Sequence, residues 1–197
     1  DNAGHLWIST CLGGIFVVDK HRLMQSASGQ YVAEQNYSVH NGLSGMFINQ
    51  IIPDNEGNVW VLLYNNKGID KINPRTREVT KLFADELNGE KSPNYLLCDE
   101  DGMLWVGFHG GVMRINPKDE SQQSISFGSF SNNEMLSMTS VKNHIWVSTT
   151  NGLWIIDRKT MDARLQNMTD KRFTSLLFDP KENCIYLGGA DGFGISH

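Results

Sequence analysis

The feature that most constrains this chain is a heptapeptide that returns on a long period. Residues 54–60 read DNEGNVW: an acidic residue, a glycine three positions on, and a tryptophan three after that. The same frame opens the chain as DNAGHLW (Asp1–Trp7) and returns as DEDGMLW (Asp99–Trp105). Trp7, Trp60, Trp105, Trp146 and Tyr186 follow one another at intervals of 53, 45, 41 and 40 residues. One supersecondary unit repeated about every 40–50 residues is the signature of four-stranded propeller blades.

The copies agree beyond the tryptophan. A glycine follows within a few residues (Gly13-Gly14, Gly68, Gly110-Gly111, Gly152, Gly192). Five residues past it stand Asp19, Asn73, Asn116, Asp157 and, at the end, His197. Apolar runs precede the heptapeptide at 48–52, 95–98 and 173–178. A second strand carries the tryptophan, a third follows the glycine, and a weaker fourth is expected at 79–83 and 125–130. Asn73-Pro74 and Asn116-Pro117 punctuate the turn between third and fourth strands. No long window carries a 3.6-residue apolar period, so almost no helix is expected. The fold class is all-β: a β-propeller of four-stranded antiparallel blades, with about four to five blades' worth of chain. The expected division is a partial blade at 1–37, blades at 38–83, 84–130 and 131–168, and a partial blade at 169–197. Either this is a fragment of a larger ring, or the last strand closes onto the first in a small five-bladed one.

In this frame Asp-x-x-Gly is a β-turn joining the first strand to the second, its carboxylate accepting backbone N–H bonds. In the fourth copy Ser140 and Asn143 replace Asp and Gly. The turn is expected to survive there, with Asn143 tolerating positive φ, where a carboxylate site would not. The tryptophan reads as packing between blades.

Chemistry is sparse. Asp99–Gly102 resembles the start of a calcium loop but lacks the closing Glu, so a plain turn is the better reading. The histidines show no metal-ligand spacing, and His5 and His144 share one place in their repeats. There is no Gly-x-Ser-x-Gly elbow and no phosphate loop. No metal, cofactor or catalytic residue is expected. The net charge of −5 comes without a basic run, which argues against nucleic acid. No apolar stretch approaches the roughly 20 residues of a membrane helix, so no membrane contact is expected. The odd cysteines, Cys11, Cys98 and Cys184, do not form a disulfide framework, and Cys184 falls at a core position shared with Leu6, Val59, Leu104 and Ile145.

The stretch HNGLSGMFINQIIPDNEGNVWV (His40–Val61) resembles the two-component regulator propeller repeat, whose pattern runs Gly-Leu-Ser, then Ile, then Asp-x-x-Gly-x-Leu-Trp-Ile-Gly-Thr. The pattern departs in places: its Gly-Thr is Ser9-Thr10 and Ser148-Thr149 in two copies and Leu62-Leu63 in another. The resemblance implies a ring of about seven blades in the periplasmic sensor region of a Bacteroidetes hybrid histidine kinase. It further implies a non-enzymatic role, a carbohydrate-derived signal, an oligosaccharide ligand, the remaining blades and adjacent sensor domains as partners, and a homodimer. Lyases and glycoside-active enzymes with similar propellers, or a protein-binding scaffold, are the alternatives.

Blade geometry narrows where a ligand would sit. The turn between second and third strands and the connection between blades emerge at one end. That places Tyr64, Asn65, Asn66, Asn94, His109, Thr150 and Asn151 on one face, with residue types that suit sugar recognition.

Overall fold

The computed structural model describes residues 1, 3–26, 32–64, 68–82, 93–128, 133–166, 172–189 and 192–196. Asn65, Asn66, Phe83, Ser129, Phe130 and His197, all named above, lie outside the described residues. The chain forms two compact units, Asp1–Ser92 and Pro93–His197.

The first unit holds two antiparallel meanders. β1 (His5–Thr10), β2 (Gly14–Asp19) and β3 (Gln35–Tyr37) form one sheet. β4 (Ile48–Pro53), β5 (Val59–Leu63), β6 (Ile69–Asn73) and β7 (Glu78–Leu82) form the next. Ile15, Val17 and Tyr37 pack with Val59, Val61, Leu63 and Ile72 between them. The second unit holds three meanders. The first is β8 (Pro93–Cys98), β9 (Leu104–Phe108), β10 (Gly111–Ile115) and β11 (Gln122–Ser126). The second is β12 (Met135–Val141), β13 (His144–Thr149), β14 (Gly152–Asp157) and β15 (Ala163–Leu165), and the third is β16 (Phe173–Asp179), β17 (Cys184–Gly189) and β18 (Gly192–Ser196). Met135, Met138, Ile145 and Val147 cover Trp105 and Val112, while Leu176, Ile185 and Leu187 pack on Leu153. β5 and β9 are buried at every position.

The recurring heptapeptide is indeed a turn, and a more connected one than its sequence suggests. Asp54 Oδ1 accepts the backbone N–H groups of Glu56 at 2.9 Å and Asn58 at 2.8 Å, while Oδ2 accepts the Trp60 indole N–H at 3.0 Å. Asp99 repeats this on Asp101, Met103 and Trp105. Asp1 does so on Ala3, His5 and Trp7. The glycine takes φ of 84°, 87° and 78° at Gly4, Gly57 and Gly102, a conformation that costs other residues about 1–2 kcal/mol.

Several local expectations need correction. In the fourth copy β12 and β13 meet in a tighter hairpin, with Val141 opposite His144. Lys142, not Asn143, takes the positive φ of 54°. Ser140 does not cap its own turn; its hydroxyl donates to Glu100 at 2.8 Å. The fourth strand expected at 125–130 lies earlier, at Gln122–Ser126. A closed turn sets this register: Asn116 N–H donates to Ser121 O at 2.9 Å, which brings Gln122 opposite Ile115. Phe127 then stacks on Trp154 at 4.6 Å instead of continuing the strand. A short helix, α1 (Lys20–Gln25), starts where Asp19 caps the Arg22 N–H at 2.9 Å. Cys184 is buried as expected, along with Val59, Leu104 and Ile145, but Leu6 at the same place is 40% exposed.

The acidic triplet at 99–101 does more than form a turn. Arg158, arriving at the end of β14, reaches all three carboxylates: Asp99 through Nε at 3.2 Å, Glu100 through Nη1 at 2.6 Å, and Asp101 through Nη2. Nη1 also donates to Lys142 O at 2.7 Å. The Asp99 side chain is fully buried, whereas Glu100 and Asp101 are largely exposed. The Arg158→Ala variant is therefore expected to lose about 3 kcal/mol by leaving a buried carboxylate without its cation. Asp101→Ala, at the exposed partner, should cost under about 1 kcal/mol. Urea midpoints of the two variants check this, and equal losses would contradict it.

A second buried carboxylate explains the Gly-Leu-Ser segment. Leu43 enters the core, and Ser44 donates to Asp70 on β6 through its N–H at 2.7 Å and its hydroxyl at 2.6 Å. Burial pushes the Asp70 carboxyl above its ordinary 3.8, against the opposing pull of the two Ser44 bonds and of Lys81. Between 3.8 and the raised folded value, the folded chain holds a proton that the unfolded chain has lost. The resulting stability is fully present below 3.8 and disappears as pH rises through the folded value. Asp70→Asn should abolish this component: wild type gains on the variant as pH is lowered from 7 towards 4 in urea unfolding.

Candidate functional site

The turns between second and third strands are closed by a recurring hydroxyl. Thr149 Oγ1 donates to Gly152 O at 3.1 Å, and Thr10 Oγ1 to Gly14 O at 3.3 Å. These threonines belong to the Ser-Thr pairs that stand in for Gly-Thr. The glycine opening β10 is required for another reason. A Cβ on Gly111 would lie 2.2 Å from Ile125 O, because the fourth strand's carbonyl passes directly over it.

In the second unit several of the expected face residues do converge at one end of the sheets. Gly110 N–H donates to Asn133 O at 2.9 Å, which ties the His109 turn to the segment before β12. Thr150 N–H donates to Glu134 O at 2.9 Å, and Thr150 Oγ1 accepts the Glu134 N–H at 3.0 Å. Asn94 Nδ2 donates to Met135 O at 3.0 Å. His109 and Thr150 are half-buried and Asn151 is exposed. Residues 133–135 are thus the shared strap under His109, Thr150 and Asn94. Asn94 has one amide hydrogen committed to that strap. Asn133, from the same connection between blades, is buried there.

Tyr64 belongs to the first unit, at the corresponding end of β5. Its ring is 53% exposed, and its N–H donates to Phe47 O at 2.9 Å. Phe47 is itself 50% exposed. Sequence reasoning missed Phe47; its only signal was an aromatic residue in the short Gly-Met-Phe link between Gly-Leu-Ser and β4.

The opposite end of the second unit carries what the sequence did not suggest. Two cavities of about 320 Å³ and 430 Å³ are both lined by Arg114. Arg114 Nη1 donates to Arg158 O at 3.2 Å, and its guanidinium carbon stands 5.9 Å from the Trp105 ring centre. Among the described residues, no group of His, Cys, Asp and Glu is placed to hold a metal ion, and the three cysteines are free thiols.

Five antiparallel meanders, three of them opened by the same aspartate–tryptophan turn, define this chain as β-propeller blades. A model of the two-component regulator propeller matches residues 42–65, so the chain carries that repeat. It is similar, at 93% identity and a TM-score of 0.94, to the extracellular domain of a candidate hybrid two-component system from B. thetaiotaomicron. That match covers 100% of this chain and 26% of the other, so the chain spans about a quarter of that relative. Another structure of the same relative, 92% identical, is described as a candidate one-component system. A second extracellular domain from B. thetaiotaomicron, of another candidate hybrid two-component system, is 20% identical over 99% of this chain and 26% of its own, with a TM-score of 0.74. A streptogramin B lyase shares the fold at 16% identity and a TM-score of 0.73, over 99% of this chain and 62% of its own. No curated protein matches the chain. No helix among the described residues is long and apolar enough to cross a membrane.

Gly111→Ala must push β11 away from β10 and is expected to cost about 1–3 kcal/mol. Thermal unfolding measures this; an unchanged midpoint would show that the carbonyl can move aside.

Proposed function

We propose that this chain is a non-enzymatic part of the ligand-sensing region of a hybrid two-component histidine kinase, on the periplasmic side of the membrane. The observation that carries the reading is the 93% identity, over the whole chain, to the extracellular domain of a candidate hybrid two-component system. The signal is carbohydrate-derived. Its oligosaccharide meets the strand-end loops, at Tyr64, Asn65 and Asn66 in the first unit or at Asn94, His109, Thr150 and Asn151 in the second. The exposed rings of Tyr64 and Phe47 support this, since aromatic faces stack on sugar C–H surfaces while amides and hydroxyls bond the rest.

The remaining blades and the adjacent sensor domains complete the region, which works as a homodimer. Ligand binding then biases the packing of the two copies, and only by as much as its affinity differs between the two arrangements. In cells carrying the full-length sensor and a reporter of its target genes, Tyr64→Ala and His109→Ala are each expected to raise the half-saturating oligosaccharide concentration about tenfold, a loss of about 1.4 kcal/mol. Protein levels should not change. An unaltered response in both variants removes these loops as the site. Conversion of the oligosaccharide by the purified protein would overturn the non-enzymatic reading.

A further inference from the structure

We propose that the paired cavities at Arg114 form a second binding site, for a neutral polyhydroxylated ligand of the pyranose class. It lies at the end of the second unit opposite His109 and Thr150. The inference adds a site to the sugar-sensing reading, on which it rests for its role but not for its binding chemistry.

The larger cavity, about 430 Å³, has Asp101, Asn143, Asp157 and Lys159 around Arg114 and Arg158. The smaller, about 320 Å³, continues past Arg114 to Gln122 and Gln123. Together they fall within the size range of small-molecule sites. Arg114 sits at the junction, held between its cross-strand neighbours Trp105 and Gln123. One of its N–H groups is committed to Arg158 O, while Nε is buried and has no hydrogen-bond partner among the described residues. A buried donor of this kind costs about 1–3 kcal/mol unless something accepts from it.

Charge decides the ligand class. Arg158 is already neutralised by Asp99, Glu100 and Asp101. Asp157 is held ionised, below its ordinary value, chiefly by the N–H groups of Thr160 and Lys159 in its own turn. The cations Arg114, Arg158 and Lys159 are thus outnumbered by the carboxylates Asp99, Glu100, Asp101 and Asp157, so an anion gains nothing here. Among the described residues, Met103 is the only apolar side chain lining the smaller cavity and none lines the larger, so an apolar ligand gains little either. What remains is a lining that alternates donors (Arg114, Lys159), acceptors (Asp101, Asp157) and groups that are both (Asn143, Gln122, Gln123). Ring hydroxyls, each donor and acceptor at once, match such a lining.

The test is a ¹H–¹⁵N NMR titration of this chain with glucose, galactose, mannose, xylose and arabinose, and with glucuronate and sulfate as anionic controls. At least one neutral sugar is expected to shift the Arg114 Nε–H and the Gln122 and Gln123 amide signals. Arg114→Gln should weaken that binding at least tenfold and Gln123→Ala about threefold. Gln123 lies on an exposed strand edge, so its variant keeps the test valid if Arg114→Gln unfolds. Tyr64→Ala and His109→Ala should leave these shifts unchanged. The proposal is overturned if no neutral sugar shifts the Arg114 signal, if glucuronate or sulfate shifts it more strongly, or if the shifts fall only around His109 and Thr150. That last result would leave the sensing face intact while removing this site.

Discussion

One carboxylate organises each of the three turns that open at Asp1, Asp54 and Asp99. The aspartate that ends the first strand satisfies two backbone N–H groups of the turn with one oxygen and the tryptophan indole with the other. An indole N–H is a donor that burial would otherwise leave unmatched. With it satisfied, Trp60 and Trp105 can be fully buried and present a large flat area to stacking. The fourth copy has no aspartate at the turn and Trp146 is half-buried, as is Trp7, whose indole does donate to Asp1. The carboxylate thus satisfies the indole, and the neighbouring sheet decides how far the ring is buried.

The joint between the third and fourth sheets builds on the same carboxylate. Asp99 is already committed to its turn and its tryptophan when Arg158 from the next meander closes over it. The burial of that pair makes the joint sensitive to loss of the arginine and insensitive to loss of its exposed partners. Between the fourth and fifth sheets the link is made by neutral hydroxyls instead. Ser137 accepts the Leu176 N–H at 3.0 Å, and Ser148 donates to Phe173 O. Rigid sheet ends of this kind are what allow loops at either end to hold side chains in fixed positions.

Much of the architecture was legible in the sequence. The period of the heptapeptide specified meanders of the right length, and turn chemistry at Asp, Gly and Asn-Pro placed most strand ends. The failures have local causes. Lys142 takes the left-handed conformation because the Val141–His144 register leaves room for only two turn residues, which the similarity of Asn143 to glycine does not reveal. The strand after Asn116 starts early because the closure onto Ser121 outweighs the apolar character of Ile125–Phe127. On the candidate face, the convergence of His109, Thr150 and Asn94 followed from blade topology alone. Phe47 did not, since its exposure is set by packing that the sequence pattern does not record.

By itself the sequence determined the fold class and the repeat unit, because these depend on short-range patterns that recur within the chain. Only the tertiary structure decided which charges meet. Arg158 is far from 99–101 in the chain, and nothing in its own neighbourhood marks it as their partner. Arg114 looks like an ordinary strand residue until the next sheet's turn forms a cavity over it. Long-range pairing depends on how strands from different repeats are stacked, and periodicity along the chain carries no record of which side chains that stacking brings together.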